Sequence, residues 1–417
     1  MMLLMMLASA FAADCHAIVG ATLHQGEAAA PATIVWEGAR LRAVGAEVAL
    51  PEGCDAQDGT GLHVTPGLIV ASTELGLVEV NAEASTRDTD AGGGAIRASA
   101  LAIDGFNPSS VALPVVRQGG ITAAITSLSG GFISGVSAGV RTSGLTQVEA
   151  EIQRMAALRV NLRADGGIAG GIARLRTLVE DARVYAARSG TRRFEGVADL
   201  SAPRAELDAL LPFVAGRADQ RRPLLIAVNR ASEIEAVLRV SSELGLRVII
   251  EGGAEAWRHA SALAAAGVPV ILDPTEYGPG GFNASHARAD GARILAEAGV
   301  KLILTDFQTH QARALRVVAG NAVREGLPHA SAIAALTRHP ADAFGLTDRG
   351  ALEAGALADL AVWDGDPLEI QTRLVRLVQD GEDVSTRSRQ DALTEVWRTL
   401  PRRYAPGGPS PHVAPQP

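Results

Sequence analysis

Few residues in this 417-residue chain can carry acid–base or metal-binding chemistry. The run PGLIVASTELG, residues 66–76, leads an apolar stretch into a polar cluster, yet it offers one carboxylate, Glu74, and no histidine. A second apolar run, LILTDF, delivers Asp306. Carboxylates at the ends of two strands are the groups that a general acid and a general base require. They are also hard oxygen donors for a divalent cation, with Asp273 and Glu276 of ILDPTEYGPGG as further donors. The nine histidines are His16, His24, His63, His259, His286, His310, His329, His339 and His412, and no two are spaced His-x-His or i, i+4. A histidine-rich centre would therefore need distant residues to converge. His286 lies in the loop GPGGFNASHARAD and His310 follows Asp306, which puts both on the side where the acids end their strands. Ser72, Ser127 and Ser129 have no histidine at a spacing that makes a nucleophile. The glycine-rich stretch SLSGGFISGVSAGV, 127–140, lacks the Gly-Lys-Ser/Thr ending of a nucleotide loop and is expected as a flexible loop near the site.

The elements that must hold these residues follow from periodicity. Residues 14–64 alternate short apolar runs (AIVGATL, TIVWEG, RLRAVG) with turns, the pattern of antiparallel strands. From 65 to 346, short and nearly continuous apolar runs recur: GLIVAST, GITAAITS, PLLIAVN, RVIIEGG, VPVILDP and KLILTD. Such runs suit parallel strands covered on both faces. Amphipathic stretches such as ASEIEAVLRVSSELG separate several of them, with glycine where a helix C-cap is wanted. The pattern predicts an α/β protein with a TIM-like (β/α)8 barrel. Residues 347–385 return to strands and turns, so a small discontinuous β-sandwich domain is expected from 14–64 and 347–385, followed by a helix and a disordered tail over 386–417.

Composition narrows the partners. With 38 Lys+Arg against 46 Asp+Glu the net charge is -8, and no basic run is dense enough to neutralise a series of phosphates. Nucleic acid is excluded as an expected partner. The N-terminus, MMLLMMLASAFAADC, reads as a signal peptide over 1–13 with small residues at the cleavage site, which implies a periplasmic or secreted protein; a buried first strand is the other reading. No other segment reaches the ~20 apolar residues of a membrane span. Cys15 and Cys54 are the two thiols, either paired as a disulfide or buried separately.

Two blocks resemble the amidohydrolase superfamily, particularly its imidazolonepropionase-like and prolidase-like members. They are Val64-Thr65-Pro66-Gly67-Leu68-Ile69 and ALTRHPADAFGLTDRGALEAGALADLAVWDGDPLE. The resemblance implies a metal-dependent hydrolase of non-peptide or cyclic C–N bonds, with its site at the C-terminal ends of the barrel strands. It also implies ligand positions. The Asp-x-His-x-His of the first strand falls on Val70-Ala71-Ser72-Thr73-Glu74, the next two histidine positions fall on Ala227 and Gly252, and the eighth-strand acid is kept as Asp306. The single lysine, Lys301, begins the eighth strand, whereas a bridging lysine would end the fourth. Two zinc ions are thus not expected; the cofactor is none, or one weakly bound divalent ion on Asp306 and Glu74. Asp306 would be the general base or a cation ligand, Glu74 the second catalytic or ligand group, and Asn229, Arg230, His286 and His310 the substrate contacts. Three functions remain open: a hydrolase with a reduced site, a non-catalytic binder of a small amide-like ligand, or a subunit that pairs with a related amidohydrolase or with itself.

Overall fold

The computed structural model describes residues 15–26, 28–164, 166–188, 200–277 and 281–399. The signal-like segment 1–13 and the expected tail from 400 onward lie outside the described residues. In chain order the strands are β1 Cys15–Leu23, β2 Ala30–Glu37, β3 Arg40–Gly45, β4 Asp55–Asp58, β5 His63–Pro66, β6 Leu68–Thr73, β7 Ile121–Thr126 and β8 Ile133–Arg141. They continue as β9 Glu151–Val160, β10 Leu224–Val228, β11 Val248–Gly252, β12 Val270–Leu272, β13 Leu302–Leu304, β14 Leu360–Trp363, β15 Leu374–Gln379 and β16 Glu382–Asp383.

The outer strands of the chain share one sheet along the path β16-β15-β14-β5-β1-β2-β3, with β4 beside β1. The two ends of the chain meet where β5 and β14 pair antiparallel, Leu360 opposite Pro66 and Trp363 opposite His63. Cys15 and Cys54 form a disulfide, which decides between the two arrangements left open by the sequence. At the base of the sheet the buried Arg349 pairs with Asp359 and donates from Nη2 to Asp380 Oδ1 at 2.7 Å. Each charge in that group has a partner, which is the condition for burying it.

β6 to β13 form a second, nearly closed eight-stranded sheet in sequence order, so the fold is mixed α/β with a barrel. Thr305, just after β13, donates from Oγ1 to the Ala71 carbonyl of β6 at 3.1 Å across the gap. Helices such as Ile168–Arg188, Arg204–Val214 and Ala231–Leu244 cover the outside. The pairing is parallel except around β8, which runs antiparallel to both β7 and β9. The stretch 127–140 is therefore largely a barrel strand and not a loop. Its physical cause is connection length: 127–132 is too short to carry the crossover of a dozen or more residues that a parallel neighbour requires. Gly135 has φ +133, and a Cβ there would stand 2.7 Å from Leu128 Cδ1 and 2.9 Å from the Ala100 carbonyl oxygen.

Inside the barrel, Ile69, Ala71, Ala123, Ile125, Leu225, Ile249, Ile271 and Ile303 pack into an apolar floor with Phe344. Strand side chains alternate faces, so a step of two residues toward the C-terminal end from these positions names the next inward layer. That layer is polar: Ser127, Arg159 (two past the floor residue Ala157), Glu251, Asp273 and Thr305, with Ala227 the apolar exception, while on the first strand the register skip brings Ser72 onto Glu251.

The disulfide closes a segment with a sequence separation of 39, for which chain entropy gives about 4 kcal/mol as an upper figure. Guanidinium unfolding with and without reductant is expected to show the reduced protein less stable by about 2–4 kcal/mol. Coincident unfolding curves would remove the disulfide from the stability of the sheet.

Candidate functional site

The polar layer opens into a pocket of about 270 Å³ at the C-terminal ends of the strands, lined by Arg159, Asn229, Glu251, Asp273, Glu276 and Phe307 among others. Its centre is an ion pair. Arg159, next to last in β9, donates from Nε to Glu251 Oε2 at 3.0 Å, while its Nη2 lies 3.0 Å from Glu251 Oε1. Its Nη1 donates to the Leu128 carbonyl at 3.1 Å, so each of the three guanidinium nitrogens has a partner. Glu251 is 4% exposed and also accepts a hydrogen bond from Ser72 Oγ. One charge pair thus ties the first, fourth and sixth strands of the barrel together across its mouth. A bidentate guanidinium–carboxylate fork is the strong form of this contact, and burial of Glu251 makes the counter-charge a requirement.

The backbone is strained at the same place. Ser72 has φ +56 and Phe307 φ +50, two of three non-glycine residues in left-handed backbone among the described residues. Such positions cost about 1–3 kcal/mol each and persist where the surroundings hold them. At Ser72 the ladder between β6 and β7 skips register between Val70 and Thr73, which turns the Ser72 hydroxyl onto Glu251.

Around the pair stand three more acids. Asp273 accepts from the Thr275 backbone N–H at 2.8 Å and from Thr275 Oγ1 at 2.6 Å. Burial pushes the Asp306 carboxyl above the ordinary aspartate value; the Gln308 N–H, donating to its Oδ1 at 3.0 Å, opposes that, and the charge of Asp273 adds to it. Burial likewise raises Glu276, again with Asp273 contributing. Among the described residues, none of these three acids has an ion-pair partner. Also among the described residues, no group of three or more His, Cys, Asp or Glu side chains is arranged to hold a metal ion.

The residues singled out from the sequence are distributed unevenly. Asn229 lines the pocket, its Oδ1 accepting from the Ala254 N–H at 3.3 Å, and Gly252 is required beside it because a Cβ there would lie 2.5 Å from that oxygen. Asp306 lies two residues past the eighth strand, within the electrostatic reach of Asp273, and is not among the pocket-lining residues. Glu74 is half-buried just past β6, its backbone N–H donating to Thr309 Oγ1 at 3.1 Å, and it is not among the pocket-lining residues. Arg230 turns away, donating from Nε to the Phe282 carbonyl at 3.2 Å. His286 stands with Nδ1 3.2 Å from Glu255 Oε1, and His310 with Nε2 2.8 Å from the Glu79 carbonyl; neither lines the pocket. Arg159 and Glu251 were missed by sequence reasoning. The signal was present as a lone acid inside VIIEGG, two residues beyond the floor residue Ile249.

Comparison with known proteins gives the geometry its relatives. Residues 252–385 match the amidohydrolase family. Amidohydrolase tasK from Hapsidospora irregularis is 35% identical over 97 residues, which is 22% of this chain; the chain spans 10% of the length of that curated relative. The fold is similar to that of an amidohydrolase from Thermotoga maritima MSB8, with a TM-score of 0.78 at 21% identity over 88% of this chain and 99% of the other. A prolidase complexed with N-methylphosphonate-L-proline superposes with a TM-score of 0.54 at 16% identity, over 89% and 99%. Atrazine chlorohydrolase from Arthrobacter aurescens TC1, complexed with zinc, gives 0.53 at 17% identity, over 91% and 98%.

Two outcomes follow from the charges at the mouth. Arg159→Met leaves Glu251 buried without a counter-charge and is expected to cost about 3 kcal/mol, most of it recovered in the Arg159→Met/Glu251→Gln double variant. Additive losses in the denaturation cycle would show that the two groups do not act as a pair. For Asp306, ionisation is harder in the folded chain than in the unfolded one. That contribution to stability is intact below the unfolded aspartate value of about 4 and is lost as pH rises through the higher folded value. Asp306→Asn keeps an acceptor for Gln308 and removes the titration, so it is expected to melt above wild type at pH 8 and with wild type near pH 4. Equal melting temperatures at both pH values would contradict a raised Asp306.

Proposed function

We propose that this chain of the amidohydrolase superfamily is an exported protein that binds a small amide-like molecule at its barrel mouth and does not run two-zinc hydrolysis. The observation that carries the reading is the Arg159–Glu251 pair with Ser72 closing onto it. Arg159 stands near the end of the fourth strand and brings a fixed positive charge into the centre of the site. A zinc pair placed there would meet a guanidinium, an engaged hydroxyl at Ser72, and no donor atom on the side chains of Val70, Ala227 or Gly252. These side chains do not fit the metal pair. Zinc bound in such a site lowers the pKa of its water, and imidazole ligands are what give the site its affinity.

The pocket is a better match to recognition. Asn229 has its Oδ1 committed to the Ala254 N–H, which leaves its amide NH2 as a donor for a ligand carbonyl. Fold neighbours include a prolidase, a molinate hydrolase and phenylurea hydrolase B, which supports an amide-like ligand class. Export is part of the same reading. The Cys15–Cys54 disulfide supports it, because disulfides persist in oxidising compartments. A second reading, hydrolysis with Asp306 as general base, is favoured by the raised Asp306 carboxyl, since a base that titrates nearer neutrality is the more effective one.

Thermal-shift and turnover assays on one panel of N-acyl amino acids, dipeptides and cyclic amides separate the two. The expected result is a ligand-induced rise in melting temperature for part of the panel, lost in Asn229→Ala, with no turnover above background. Turnover that disappears in Asp306→Asn would establish the second reading instead, and turnover that requires added zinc would overturn the first.

A further inference from the structure

Four titratable side chains meet at the seam between the small sheet and the helices that follow β13. His24 follows β1, His63 opens β5, His329 opens the helix His329–Leu336, and Asp366 lies in the turn after β14. His24 Nε2 and His63 Nδ1 are 2.7 Å apart and share one proton between them. The His24 ring centroid lies 5.0 Å from that of His63 and 5.2 Å from that of His329. His329 donates from Nε2 to Asp366 Oδ1 at 2.9 Å, and that same oxygen accepts from the Leu368 N–H.

His24 is the buried member, 5% exposed, and its Nδ1 has no hydrogen-bond partner. A cavity of about 220 Å³ lined by His24, Gln25, His329 and Asp366 lies at this seam. An adjoining recess brings Arg338 and His339 toward His24. The charged and titratable groups around it are therefore His63, His329, His339 and Arg338, with Asp366 serving His329 and Glu353 paired to Arg338. A proton added to His24 would find no acceptor at Nδ1 and would sit beside two other imidazoles. Burial lowers its imidazole to about 4; Asp366 opposes the shift, and His329 and His63 reinforce it. The backbone N–H of His24 donates to the Val64 carbonyl at 2.8 Å, so strain at this side chain is passed directly to β5.

We propose that this cluster is an acid-operated latch, which holds the small sheet against the helix His329–Leu336 while His24 is neutral and releases that seam when His24 is protonated. A histidine whose folded value is depressed contributes stability that is present above its unfolded value of 6.5 and lost as pH falls toward about 4. Between pH 7.5 and pH 5 this corresponds to an increase in seam opening of roughly tenfold or more.

Hydrogen exchange on the full chain, corrected for the intrinsic pH dependence of exchange, reads the opening directly. Peptides covering 21–26 and 329–336 are expected to open at least about tenfold more at pH 5 than at pH 7.5, while peptides from β10 and β11 stay unchanged. In His24→Gln, which cannot take up the proton, the pH response of both seam peptides is expected to flatten. His24→Asn, which likewise cannot take up the proton, is expected to flatten the response in the same way and provides a second test should His24→Gln fold poorly. Seam peptides in the wild type that exchange alike at the two pH values would overturn the latch, as would a wild-type pH response in His24→Gln or in His24→Asn.

Discussion

A carboxylate buried at the centre of a barrel mouth has to be neutralised, and here the chain neutralises it with its own arginine. Glu251 projects from the sixth strand into the polar layer above the apolar floor, and Arg159 reaches it from the fourth. An isolated buried charge would cost several kcal/mol, which a bidentate guanidinium with its third nitrogen on a carbonyl largely offsets. Ser72 joins the pair from a left-handed position that open backbone would not keep. The geometry of the mouth, the strain on its first strand and the shape of the pocket all depend on this one contact.

The same contact sets the electrostatics of the remaining acids. Because Arg159 is fully committed, Asp273, Glu276 and Asp306 face one another with no cation of the chain paired to them among the described residues. Desolvation, with Asp273 adding to it, then lifts Asp306 and Glu276. On the proposed reading the fixed guanidinium organises the site from within, and the acids and Asn229 around it shape a pocket for recognition.

Much of the fold could be read from the sequence, and the reasons are local. The runs LIVAST, LLIAV, VIIEG, VIL and LIL became the first, fifth, sixth, seventh and eighth barrel strands because continuous apolar stretches of that length suit strands covered on both faces. The return of residues 360–383 to the N-terminal strands was also legible, from the change back to strand-and-turn patterning. The direction of β8 was not, because residue pattern marks a strand and only connection length reveals which way it runs. At the site, Asp306 and Asn229 were singled out because the family resemblance aligns their runs, LILTDF and IAVNRASEI, with the ends of barrel strands. Arg230, His286 and His310 lie just beyond the same strand ends, yet their directions are fixed by Phe282, Glu255 and Glu79, partners far away in sequence. Glu251 and Arg159 were not legible because the histidine pattern of the family resemblance falls on Gly252, one residue past the inward acid, and their pairing joins strands 92 residues apart in sequence.

The central claim is that the guanidinium of Arg159 holds the place at the barrel mouth that a metal centre would need. Diffraction at the zinc absorption edge, from crystals of the full chain grown with zinc present, tests it most directly. The account predicts no anomalous peak at the mouth and Arg159 closed on Glu251. A strong peak ligated by Glu251, Asp273 or Asp306, with Arg159 swung out of the pocket, would contradict it.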